Sequence, residues 1–142
     1  MLVRGLIVTG VTILSAFAGY ASDNADDSVI TLGRSAFMAH CAVCHGEDAK
    51  GGGEFAKLLE VKPSNLTTLS EKADGKYPFS DIYQAIVHGM EAPGHGPSKM
   101  PIWGDYFLAD ALEDRGVGKS DAISIAAGRV LSLAYYLETL QE

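Results

Sequence analysis

The sequence predicts a small all-α domain of four or five short helices joined by long loops. Three observations point there. No stretch of convincing length alternates apolar and polar residues at the period of a strand. Apolar and small residues recur at helical spacing near both ends: Ile30, Gly33 and Phe37, then Ile125, Gly128, Leu131 and Tyr135 with Leu137 or Leu140 beyond. Between these ends glycine and proline interrupt the chain, with glycines gathered at 51–53 and 89–96. A length of 142 residues fits one core.

The elements follow in order. Arg4 is the only charge before Asp23, and an apolar run with a small-residue exit at Ala16-Phe17-Ala18 or Gly19-Tyr20-Ala21 lies between them. That layout reads as a signal peptide over residues 1–21. The same run is barely long enough to serve as an uncleaved membrane anchor. Residues 22–28, SDNADDS, read as a polar linker, which leaves 29–142 as the domain.

A helix is expected from Val29 to His40 with Ser28 as N-cap. Gly33 inside it costs about 1 kcal/mol relative to alanine, which close approach of another backbone would justify. Glycines 51–53 break the chain, and a short helix over 54–60 ends before Pro63, because the residue preceding a proline disfavours helix. A helical turn near 67–73, a turn at Asp74-Gly75 and a helix over 81–88 come next, the last capped by Ser80 and stopped by Gly89. Residues 90–104 read as loop and 105–119 as ambiguous, with a turn at 116–118. A strong final helix, capped by Ser120, is expected from Asp121 to Leu140.

The net charge is -7, and removal of Arg4 with residues 1–21 takes it to -8. Such a chain repels a phosphate backbone, so nucleic acid is not expected as a partner. It is attracted to basic surfaces on proteins. Without residues 1–21 the core is thin, and a large apolar cofactor bound to the native state would stabilise it.

Both cysteines of the chain lie in HCAVCHGEDAKGGG, residues 40–53. A disulfide between Cys41 and Cys44 would close a very short loop and contribute little. A zinc site needs four protein ligands, or three and a water. Cys41, Cys44 and the adjacent His45 supply three in strained succession, with His88 and His95 remote. Thiol exchange expects a βαβ unit, and none is visible. The third reading is C-x-x-C-H, the attachment signal of a c-type haem. Its two thiols add across the porphyrin vinyl groups, and His45 is delivered to the iron as proximal ligand. From this chain's own Cys and His content the motif arises by chance in about one chain in a thousand, so it is specific. A thioether at the sixth position raises the potential. Met100, followed by Pro101 in a Gly/Pro loop, is the candidate, whereas Met90 reads as a gap-filling core residue.

CAVCHG (41–46), KPSNLTTL (62–69), YPFSDIYQAIVHG (77–89), HGPSKMPIWGDYF (95–107) and AYYLETLQ (134–141) together resemble the mono-haem class I cytochromes c of bacteria. They are most similar to the exported group with an M-P-[IV]-W-G distal loop. The loop 90–99 and the tract 105–119 look longer than in the smallest members. The resemblance implies a small cytochrome c fold around one covalently bound haem c and its iron. It implies Cys41 and Cys44 as thioether anchors, His45 as proximal and Met100 as distal axial ligand. It also implies a first helix crossing the last, with Gly33 and Phe37 meeting Tyr135 or Tyr136. Pro63 is the expected carbonyl acceptor for the proximal imidazole N–H. Tyr77 and Trp103 carry polar handles suited to the haem propionates, and His40, His88 and His95 read as surface or loop residues. Glycines 51–53 are expected to turn the chain away from the haem edge.

The function expected is one-electron transfer in the periplasm, without substrate chemistry, toward redox proteins with a basic docking surface. One rival is a haem c subunit of a dehydrogenase or oxidase complex, touching the membrane if residues 1–21 stay attached. The other is a gas-binding module, should the bond to Met100 be weak.

Overall fold

The computed structural model describes residues 22–89, 100–115 and 117–142. The signal-peptide or anchor reading of 1–21 and the loop reading of 90–99 lie outside the described residues, which contain no strand. Helix α1 spans Ser22–Ala36, passes through one π-helical turn at Phe37–Cys41, and continues as α2, Ala42–His45. A 3-10 stretch at Glu54–Leu58 follows, then α3 (Leu69–Lys72), α4 (Phe79–His88), α5 (Trp103–Arg115) and α6 (Lys119–Thr139).

Several boundaries differ from the sequence reading, among them the 54–60 helix, which ends at Leu58, and the 90–104 loop, which gives way to helix at Trp103. The 22–28 stretch is helix rather than linker. Residues 22–28 contain no proline or glycine, so nothing in them stops the helix from starting before its first apolar residue. Helix α4 starts at Phe79 behind Pro78 and α6 at Lys119 behind Gly118, and neither has a side-chain cap. Ser80 and Ser120 therefore lie inside their helices. The ambiguous tract 105–119 resolves mainly into α5.

Helices α1 and α6 cross at Gly33. A Cβ there would overlap the Ser132 carbonyl and come within 2.8 Å of the Tyr136 Cβ, so the backbones approach as closely as the missing side chain permits. One turn on, Phe37 packs on Tyr136 with ring centroids 5.5 Å apart. Tyr135 points outward and stacks on Phe79 at 4.8 Å. The buried side of α6 is Ala122, Ala126, Val130, Leu133, Ala134 and Leu137. Of the expected buried side, Leu137 is buried, whereas Gly128, Leu131 and Tyr135 are exposed. Alanines share the inward side with larger residues, and the small ones permit close approach of neighbouring helices.

The largest fully buried side chains are Phe37, Phe107, Leu133 and Val130, and alanines make up much of the remaining core. Two devices tie the middle of the chain to α6. Gln141 donates to the Leu66 and Leu137 carbonyls at 2.9 and 2.7 Å and accepts the Ser70 N–H at 2.9 Å. The Tyr77 hydroxyl donates to the Ala134 carbonyl at 2.9 Å.

Tyr77→Phe is expected to cost about 1 kcal/mol, the usual worth of one half-buried hydrogen bond, measured by guanidinium unfolding. Burial first, then the Glu138 charge, pushes the Tyr77 hydroxyl above its ordinary range. A raised folded-state pKa means this stabilisation is present below about pH 10 and is lost as pH rises through the folded value.

Candidate functional site

The sequence HCAVCH is carried on the π turn and α2, so Cys41 and Cys44 stand one helical turn apart. Both thiols are unpaired and half-buried. Burial first, then the neighbouring Cys44, pushes the Cys41 thiol up to about 12. Such a thiol forms little thiolate and is a poor disulfide exchanger. Among the described residues no three His, Cys, Asp or Glu side chains converge on a point that would hold a metal ion.

His45 is oriented by its Nδ1, which lies 3.1 Å from the Ser64 carbonyl oxygen. A carbonyl only accepts, so Nδ1 carries the proton and Nε2 keeps its lone pair for a metal. Burial lowers the His45 pKa and the bond to Ser64 partly restores it, which favours the neutral, ligating form. The acceptor is thus Ser64 rather than Pro63. The Pro63 carbonyl is pressed against Gly51, whose φ of 89° and absent Cβ make room for it.

The loop 46–53 folds back onto the motif instead of turning away from it. Backbone bonds run from Gly46 N to Ala42 O (2.8 Å), Gly51 N to His45 O (2.6 Å) and Gly53 N to Cys44 O (3.1 Å). The loop therefore acts as a splint for α2.

The other expected residues have separate fates. Met100, Trp103 and Tyr77 are half-buried on the margin of the one core, as is Cys41. Tyr77 spends its only proton on Ala134, which leaves none to donate to a propionate. Trp103 joins an aromatic cluster with His40, Tyr106 and Phe107. His88 is exposed, as expected, and His95 lies outside the described residues. The sequence reading puts His40 at the surface, yet its ring sits within 5.5 Å of three aromatic centroids. Those partners are more than sixty residues away in sequence, and no local pattern around His40 announces them.

The residues fit a large, flat, apolar group attached through sulfur. Two free thiols one turn apart and an imidazole with a free Nε2 stand at the margin of a small core. Leu66, Ile82, Met100 and Trp103 pack against that core without being fully buried themselves. This donor set and rim define an all-α protein that binds a porphyrin covalently.

The chain belongs to the cytochrome c family, whose model, described as Cytochrome c, matches residues 30–112. As a cytochrome c domain it transfers electrons through a covalently bound haem c and its iron. It is 32% identical over 87 residues to the Cbb3-type cytochrome c oxidase subunit FixP of Rhizobium meliloti (strain 1021), covering 59% of this chain and 27% of that protein. It is also 32% identical over 85 residues to subunit FixPc of Rhizobium leguminosarum bv. viciae, covering 60% of this chain and 25% of the relative. The chain thus matches about a quarter of the length of these relatives. No solved structure matches it. Among the described residues no helix is long and apolar enough to cross a membrane.

Proposed function

We propose that this protein is a periplasmic one-electron carrier. Cys41 and Cys44 anchor the haem, His45 and Met100 are its axial ligands, and residues 1–21 direct export. The observation that carries the reading is the oriented His45, held by Ser64 in the tautomer a metal requires. The bound haem supplies a one-electron iron couple. The chain's share is to hold both ligands, keep water from the buried side and present an edge to a partner. It performs no substrate chemistry of its own.

Intact mass of the purified native protein tests anchoring and export together. The expected value is the mature polypeptide plus one haem, and Cys41→Ala impairs the addition. A mass without haem would overturn the reading.

The partner is a redox protein with a basic surface around an apolar patch. Phe55 and Leu58 are exposed at a spacing of three along a 3-10 stretch, where such residues eclipse, and exposed Val61 follows. Nearby lysines are engaged: Lys57 with Glu54, Lys62 with the Ala56 carbonyl and Lys50 with Glu142. Glu47 and Glu60 are exposed without an ion pair among the described residues, and the chain as a whole carries a net charge of -7.

A second reading, a haem c subunit of an oxidase complex, is favoured by the names of the relatives. Co-purification with other subunits from native membranes distinguishes it from a free carrier.

A further inference from the structure

The His40 imidazole lies 5.5 Å from the Trp103 ring, 5.3 Å from Tyr106 and 5.4 Å from Phe107, centroid to centroid. The last two contacts are edge-on, the arrangement aromatic quadrupoles favour. Residues 103, 106 and 107 are neighbours on one face of α5. His40 makes no hydrogen bond among the described residues, so its ring is used as an aromatic plate.

Its place in the chain gives that contact a purpose. His40 stands in the π turn, one residue before Cys41, and Trp103 opens α5 three residues after Met100. The far side of the cluster is already fixed. Phe107 is fully buried, the Arg129 guanidinium lies 5.7 Å from its ring, and Arg129 pairs with Asp110, so α5 is locked to α6. The backbones of the π turn and α5 do not pack extensively on each other. Ring contacts of His40 join the two beside the shared core that holds Phe37 and Phe107.

We propose that His40 is a positioning residue, a clamp that fixes the Met100 segment relative to the cysteine-bearing turn. The clamp rests on the reading of Met100 as an iron ligand. Groups facing the imidazole are Tyr106 and Asp110 from α5 and Arg129 from α6, with Cys41 beside it on its own turn. Burial lowers its pKa, Asp110 raises it and Arg129 lowers it, with burial the largest.

The test uses the haem-loaded ferric protein and exogenous imidazole as a competitor for the Met100 position, followed by the absorption band of methionine ligation. His40→Ala is expected to let imidazole compete at an about tenfold lower concentration, the order expected for losing one or two edge-on ring contacts. His40→Phe restores near-native competition, because it keeps a ring of similar reach, and this rescue separates a clamp from general loss of stability. Unchanged competition in His40→Ala, or failure of His40→Phe to rescue, overturns the clamp. Met100→Ala measured alongside separates the two failures. If it too leaves imidazole binding unchanged, Met100 is not the ligand and both proposals fall. If it raises imidazole binding while His40→Ala does not, only the clamp falls.

Discussion

Met100→Ala is expected to lower the midpoint potential of the haem-loaded protein by on the order of 100 mV, a modest part of the ~0.8 V that axial ligands span. A thioether is a soft donor that favours ferrous over ferric iron, so its removal favours oxidation. Met100 is half-buried on the core margin beside Trp103, and alanine also removes apolar volume there. Met100→Leu keeps most of that volume and discards only the sulfur. The two variants are expected to lose similar potential, while Met100→Leu keeps more of the folding stability. A redox titration in which both retain the native potential would sink Met100 as ligand.

Gly33→Ala is expected to destabilise the fold by about 2–3 kcal/mol, the upper part of the usual cost of overpacking. Helix propensity alone predicts the opposite sign, a gain of about 1 kcal/mol. The Ser132 carbonyl occupies the place of the new methyl group, and it is backbone, so it cannot step aside as a flexible side chain would. Both helices have to separate, which loosens Phe37 from Tyr136 as well. Gly128 supplies the control. It is exposed on α6, and a methyl group added there would meet nothing within 4 Å. Gly128→Ala is therefore expected to stabilise by about 0.5–1 kcal/mol. Guanidinium unfolding of the pair reads both signs. Two stabilised variants would remove the close crossing from this account.

What could be read in the sequence divides along physical lines. The attachment motif was legible because Cys41, Cys44 and His45 fall within five residues, at a spacing that motif's chemistry dictates. The costly Gly33 was legible as a close approach because a helix tolerates such a residue only for a reason. The acceptor for His45 lies one residue beyond the expected one, since backbone carbonyls have no side-chain signature and Pro63 and Ser64 offer the same atom. The buried phase of α6 was only partly legible: Leu137 was in the expected set, but Leu131 and Tyr135 face outward while small residues such as Ala122, Ala126 and Ala134, which carry no strong burial signal, face in beside Val130 and Leu133. The expected caps at Ser80 and Ser120 are displaced because Pro78 and Gly118 already set the starts of α4 and α6. Tyr77 and His40 find partners 57 and more residues away, a distance at which local pattern carries no information.

The brace made by Gln141 has a consequence for the order of assembly. It joins Leu66 to a residue 75 positions later, and Glu142 N bonds the Thr67 carbonyl beside it. Ser64, which orients His45, lies two residues before that junction. Contacts this distant in sequence form late, because a large loop has to close first. The cysteine turn is local and forms early. Half-buried Cys41 packs against the core that α6 completes, so its thiol is more accessible in a chain whose ends have not yet met. Attachment of the cofactor is thereby favoured before closure, and the late brace then seals a site already filled.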